Sequence, residues 1–139
     1  MLSKYDALLK GVREFDNYWS DMGMSDAIAL LDEFTGEEWA ALGILLFERP
    51  VRWQISCAET LGEAGDPERG FNLLLQLMQV RDSEVTLAAL DSINALASDG
   101  LNITGKATQL RSAIGKARAT AGPAVSRMLN ALEEKLPPA

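Results

Sequence analysis

Trp53-Gln54-Ile55-Ser56-Cys57-Ala58-Glu59-Thr60-Leu61-Gly62-Glu63-Ala64-Gly65-Asp66-Pro67 is the stretch from which the rest of the chain is read. At about 100° per residue, Trp53, Cys57, Ala58, Leu61 and Ala64 fall on one side of a helix. Arg52, Ser56, Glu59 and Glu63 fall on the other, so residues 51–64 read as an amphipathic helix with Gly65 as its C′ residue. Asp66-Pro67 then opens another helix. An aspartate caps free N–H groups, and a proline at the first helical position gives up only a donor that has no partner there anyway.

Working outward, Pro50 ends an apolar run over 39–47, and Thr35-Gly36-Glu37-Glu38 ahead of that run is a capping box. Ser25 reads as the N-cap of a helix ending near Phe34. A first helix over 2–19 carries Leu2, Tyr5, Leu8, Leu9, Val12, Phe15, Tyr18 and Trp19 on one stripe. Downstream, the proline-led helix runs to about Val80, Arg81-Asp82-Ser83 is a turn, and the next helix covers 84–98 before Asp99-Gly100. Residues 101–105 read as a loop. Helices near 106–120 and 123–135 follow, separated by Gly122-Pro123, and Pro137-Pro138-Ala139 is a frayed tail. Strand alternation and hairpin signals are missing, so the fold class expected is all-α.

The helices repeat at a spacing of 32: Trp53 aligns with Val85, Ala58 with Leu90, Glu59 with Asp91 and Leu61 with Ile93, while Leu42 and Leu45 align with Leu74 and Leu77. The run 53–67 resembles the second helix and exit turn of a HEAT-like repeat. The type is the short one of bacterial scaffold and lyase-associated proteins, where Ala-Glu-x-Leu-Gly-x-x-Gly-Asp-Pro recurs. Asp82-Ser83-Glu84-Val85 resembles the turn and helix start of the next unit. The resemblance covers 38–98, fades over 99–136, where the repeat stretches, and does not include 1–34. It implies a short α-solenoid of antiparallel helix pairs with about six to eight helices. Residues 1–136 then form one domain: an N-terminal helical cap (1–34), two HEAT-like repeats (35–98) and a C-terminal helical pair (106–136), with 137–139 as the tail. Adaptors, inhibitors and chaperones share such repeats, so the resemblance implies fold and leaves function open.

The net charge of −7 disfavours nucleic acid or an anionic membrane as partner. Residues 1–66 carry 13 acids and 5 bases, and 67–139 carry 7 acids and 8 bases, so the acidic half suits a partner with a basic surface. One cysteine permits no internal disulfide. The N-terminus lacks the apolar core of a leader, and the apolar run 39–47 is far short of the roughly 20 residues a membrane helix needs, so a cytoplasmic location is expected.

The chain has no histidine, which removes the commonest general base and metal ligand. Cys57 therefore has no Cys-His pairing and reads as a small core residue on the Trp53–Leu61 stripe. Gly62, Gly65 and Gly70 follow no strand and make no phosphate loop. Asp32 with Glu33, and Glu37 with Glu38, are adjacent acids that point in different directions on a helix. Neither an enzyme nor a cofactor or metal site is expected.

Surface stripes are more informative. Arg52, Glu59 and Glu63 on one helix and Glu84, Leu87, Asp91 and Asn94 on the next would line up on a shared wall as an acidic strip, with Leu87 as an exposed apolar anchor. A second surface is the turn 18–24, where Trp19 is either a partner contact or the staple that docks a helix end. Met22 and Met24 in that turn read as gap-fillers. The function expected is a non-catalytic protein-binding module, in general type similar to small bacterial immunity proteins that neutralise a toxin domain through an acidic surface. The alternative is a structural adaptor or assembly factor that scaffolds a complex or self-associates, for example as a homodimer.

Overall fold

The structure, a computed structural model, describes residues 1–12 and 19–138, with the backbone alone at 20 and 21. Among the described residues there are eight α-helices and no strand. They are α1 (Leu2–Lys10), α2 (Met24–Leu31), α3 (Gly36–Leu45), α4 (Val51–Leu61), α5 (Pro67–Leu77), α6 (Ser83–Ser98), α7 (Ala107–Arg118) and α8 (Pro123–Glu134). No helix is long and apolar enough to cross a membrane.

Short polar side chains start the central helices by taking up free N–H groups. Thr35 Oγ1 accepts from Glu38 N at 3.2 Å and Glu38 Oε1 accepts from Thr35 N at 3.1 Å, a complete capping box. Asp66 accepts from Arg69 N ahead of Pro67, and Asp82 Oδ1 accepts from both Glu84 N and Val85 N. Residues 96–101 close α6 in a Schellman turn, with Leu101 N donating to Leu96 O and Gly100 N to Ala97 O.

Several ends differ from the sequence reading. Helix α1 stops at Lys10, not at 19; Phe15 and Tyr18 lie outside the described residues, as does Ala139. Ser25 does not cap α2, because a π-helical turn, Trp19–Gly23, runs straight into a helix that begins at Met24. Helix α4 ends at Leu61, and Gly65 is no C′ residue: its N–H donates to Asp32 Oδ1 at 2.8 Å, tying the exit turn of α4 to the end of α2. Helix α5 ends at Leu77, short of Val80.

Helix α4 lies at the centre, packed on α1, α2, α5 and α6. The series α2, α4, α6, α8 packs each helix on the next, α3 packs on α5, and α7 packs on α6 and α8. Cover on both flanks buries Gln54, Ser56 and Thr60 as well as the apolar stripe. Ser56 is therefore not on an open face, as the helical wheel of α4 alone implies. Cys57 is sealed in this core, where burial pushes its thiol up to about 12.

Four of the six aligned pairs occupy like environments: Trp53 with Val85, Ala58 with Leu90, Leu61 with Ile93 and Leu42 with Leu74 are all buried, whereas half-buried Leu45 aligns with buried Leu77 and half-buried Glu59 with exposed Asp91. Direct contacts bracket that spacing. Ser92 Oγ donates to Ala58 O, 34 positions away, at 2.7 Å. Ser92 also crowds Gly62, 30 positions away, where a Cβ would sit 2.8 Å from the serine's. A side chain at 62 would force α4 and α6 apart. The next pair follows at a longer step: α5 and α7 begin at Pro67 and Ala107, α6 and α8 at Ser83 and Pro123, 40 positions apart in both cases. The additional residues are shared between α6, with 16 residues against 11 in α4, and the connection before α7, and together they diluted the repeat in the sequence.

Helix α1 is bolted to this core. Tyr5 is fully buried, edge-on to Phe34 and Trp53, a burial worth roughly 1.5–3 kcal/mol. Thr60 spends its proton on Cys57 O, so the Tyr5 hydroxyl donates to Thr60 Oγ1 at 2.7 Å. Asp6 accepts a bidentate pair from Arg49, at 2.9 and 2.7 Å, and the Trp53 indole N–H at 3.0 Å.

Candidate functional site

Two concavities adjoin α6. The smaller, about 250 Å³, lies between α4 and α6 and is lined by Met24, Glu59, Gly62, Glu63, Asp91, Ser92, Asn94 and Ala95. It gathers four residues of the expected strip: Glu59, Glu63, Asp91 and Asn94. The 32-residue register places Glu59 and Asp91 on facing helices, and the missing side chain at Gly62 leaves the recess open between them.

Charge in the recess is only partly neutralised. Glu59 is half-buried, and this desolvation raises its carboxyl above the usual range. The Trp19 indole N–H, at a long 3.4 Å from Oε2, and Arg52 pull it down, while Asp91 pushes it up. Arg52 is exposed at the start of α4 and acts on Glu59 through its charge, outside the lining of the recess. Trp19, 8% exposed, takes the staple role and orients Glu59, so it presents no open aromatic face to a partner. Met24 is half-buried beneath the recess, whereas Met22 is exposed and fills no gap. At the far rim the Lys135 ammonium is held by Asn94 Oδ1 at 2.8 Å and by Ala131 O, which leaves the Asn94 amide N–H groups as donors.

The remaining two residues of the strip, Glu84 and Leu87, are separated from these. They line a larger groove of about 690 Å³ bounded by the end of α5, the first turns of α6, the length of α7 and the start of α8. Leu87 is half-buried there and not a lone exposed leucine. The sequence carried no signal for this groove, because it depends on where the longer step of 40 positions places α7. Among the described residues no group of three or more His, Cys, Asp or Glu is arranged to hold a metal ion. One carboxylate of each adjoining pair is structurally engaged: Asp32 anchors Gly65, and Glu38 closes the capping box and binds Leu2 N at 2.7 Å, while Glu33 and Glu37 are exposed.

The chemistry offered by the recess is thus attraction of a cation by one partly desolvated carboxylate, Glu59, and two exposed ones, Glu63 and Asp91. Comparison with known proteins adds no relative to set beside this geometry: no family model, no curated protein and no solved structure matches the chain.

Proposed function

We propose that this chain is a non-catalytic protein-binding module of the HEAT-like, solenoid type, and that it captures a partner protein by a basic side chain seated in the recess between α4 and α6. The observation that carries the reading is the convergence of Glu59, Glu63 and Asp91 on one concavity of about 250 Å³. Small-molecule sites run from about 300 to 1,000 Å³, so the recess suits one lysine or arginine side chain better than a free ligand. The lining of the recess carries no histidine or thiol, and the lysine at its rim, Lys135, is engaged by Asn94 Oδ1 and Ala131 O. Four helices packed in series supply the rigid wall that a solenoid uses for recognition. An inhibitor in the manner of a bacterial immunity protein, whose acidic face captures a basic toxin domain in the cytoplasm, is the specific form of this proposal. Opposite charge speeds such capture.

The test is co-expression with the product of the neighbouring gene, followed by affinity capture and a growth assay. The wild-type chain is expected to capture that product and protect the cell. The isosteric triple change Glu59→Gln, Glu63→Gln, Asp91→Asn is expected to lose both while remaining folded. Capture that the triple change leaves untouched removes the recess from the account, and absence of both capture and protection removes the inhibitor reading.

A second reading, an adaptor that self-associates, is favoured by one separate feature. Ile44, Phe47 and Val51, at the join of α3 and α4, stand 71%, 51% and 38% exposed. Clustered exposed apolar side chains mark interaction surfaces.

A further inference from the structure

The groove beside α6 has an apolar lining that includes Val80, Leu87, Ala117 and Val125. Its origin is the unequal step between helix pairs. The end of α5 and the length of α7 line opposite sides of the groove, and the space between them opens onto the first turns of α6. At about 690 Å³ it is large enough for several side chains at once. Two cations stand on its walls, Arg81 at the turn before α6 and Lys116 on α7; both are exposed, and neither has an ion-pair partner among the described residues. Of the two acids there, Asp82 is taken up in capping α6, which leaves Glu84 as the single open carboxylate.

The same chain carries the complement. Ile44 and Phe47, three residues apart where α3 ends, and Val51, the first residue of α4, are exposed apolar side chains that together make the knob, and the exposed Glu48 adjoins Phe47 in sequence. We infer that the occupant of the groove is a second copy of this chain, which inserts Phe47 between its neighbours Ile44 and Val51 and directs Glu48 toward Arg81 and Lys116. The inference rests on the self-association reading above and names both halves of the contact. Because knob and groove are different surfaces, the contact is heterologous. It closes as a reciprocal pair if the geometry returns each knob to the other's groove, and otherwise extends as an open chain. Three apolar side chains and one acid make a small contact, so the association is weak and depends on protein concentration.

Sedimentation equilibrium over a concentration series decides the matter with three samples. The wild-type chain is expected to rise above monomer mass as concentration increases. Phe47→Asp, which spoils the knob, and Ala117→Arg, which fills the groove, are each expected to weaken association at least tenfold. Mixed together they are expected to pair again, since one supplies an intact groove and the other an intact knob. Leu87→Asn replaces Ala117→Arg if circular dichroism shows the latter unfolded. A wild-type chain that stays monomeric throughout removes the self-association reading itself. Self-association that Phe47→Asp abolishes but both groove variants leave intact overturns only the groove, because the knob then meets its own copy. Self-association that Phe47→Asp leaves intact overturns the knob.

Discussion

Replacing Gly70 by alanine tests the close crossing of α5 over the end of α4. A Cβ at position 70 would lie 2.7 Å from Leu61 O, a backbone atom that cannot swing aside as a side chain tip would. Alanine in a helix gains up to about 1 kcal/mol over glycine, whereas forcing an additional carbon into a tight contact costs about 1–3 kcal/mol. The clash wins, and Gly70→Ala is expected to lose about 1–2 kcal/mol. Gly115, on the exposed face of α7, has nothing within 4 Å of its Cβ position. There the propensity gain is unopposed, and Gly115→Ala is expected to gain about 0.5–1 kcal/mol. For a chain of 139 residues each kcal/mol moves the melting temperature by about 3–6 °C. Calorimetry and urea unfolding at pH 7, with unchanged m-values, read both effects. If Gly70→Ala is as stable as the wild type, α5 does not cross Leu61 closely and the central packing described above is wrong.

Other consequences follow from the same contacts. Asp6→Ala removes the bidentate partner of Arg49 and the acceptor of Trp53, and urea unfolding should show a loss of about 2–3 kcal/mol. Arg49 holds the Asp6 carboxyl below its ordinary value, so its contribution is full above the unfolded-state pKa near 4 and disappears as pH falls through the lower folded value; the Asp6→Ala penalty should shrink accordingly between pH 5 and pH 2. Glu59 has the opposite sign. Burial raises its folded pKa, so the stability linked to it is present at low pH and lost as pH rises through that value; Glu59→Gln should therefore be more stable than the wild type at pH 7, with the gap closing toward pH 4. Cys57, held up at about 12, should resist thiol labelling at pH 8 in the native state and react only at the rate of global unfolding measured in urea. Fast native labelling would show that the core around Tyr5 opens.

What the sequence disclosed and what it withheld divide along a physical line. The starts of α3, α5 and α6 were legible because Thr35, Asp66 and Asp82 bond to backbone groups two or three residues away, a contact independent of the rest of the fold. The 32-residue register was legible for a related reason: one step of 32 puts like side chains in like places, and Ala58 and Leu90, or Leu61 and Ile93, look alike in the string. Burial of Ser56 and Thr60 was not legible, since it comes from the helices packed around α4, with Tyr5 of α1 against Thr60, rather than from anything in α4. The Asp6–Arg49–Trp53 cluster joins residues more than 40 positions apart and left no local mark. Ile44 and Phe47 are the reverse case: they sit in an apolar run that reads as core, yet the fold leaves them uncovered. At the candidate site, the acids of the recess were legible from the register. The separation of Glu84 and Leu87 into a second groove was not, because the longer step to α7 has no counterpart in the repeat that reveals the first two units.

The shared wall of the recess can be measured directly. Spin labels at Glu63→Cys and Ala95→Cys, 32 positions apart and both exposed on the lining, report on whether α4 and α6 sit side by side. Packed helices have axes about 8–10 Å apart, so strong dipolar broadening is expected in the doubly labelled chain and none in either singly labelled one, with the buried Cys57 left unlabelled. Narrow lines in the folded double variant would place the two positions far apart, and neither the recess nor a partner seated in it would survive that result.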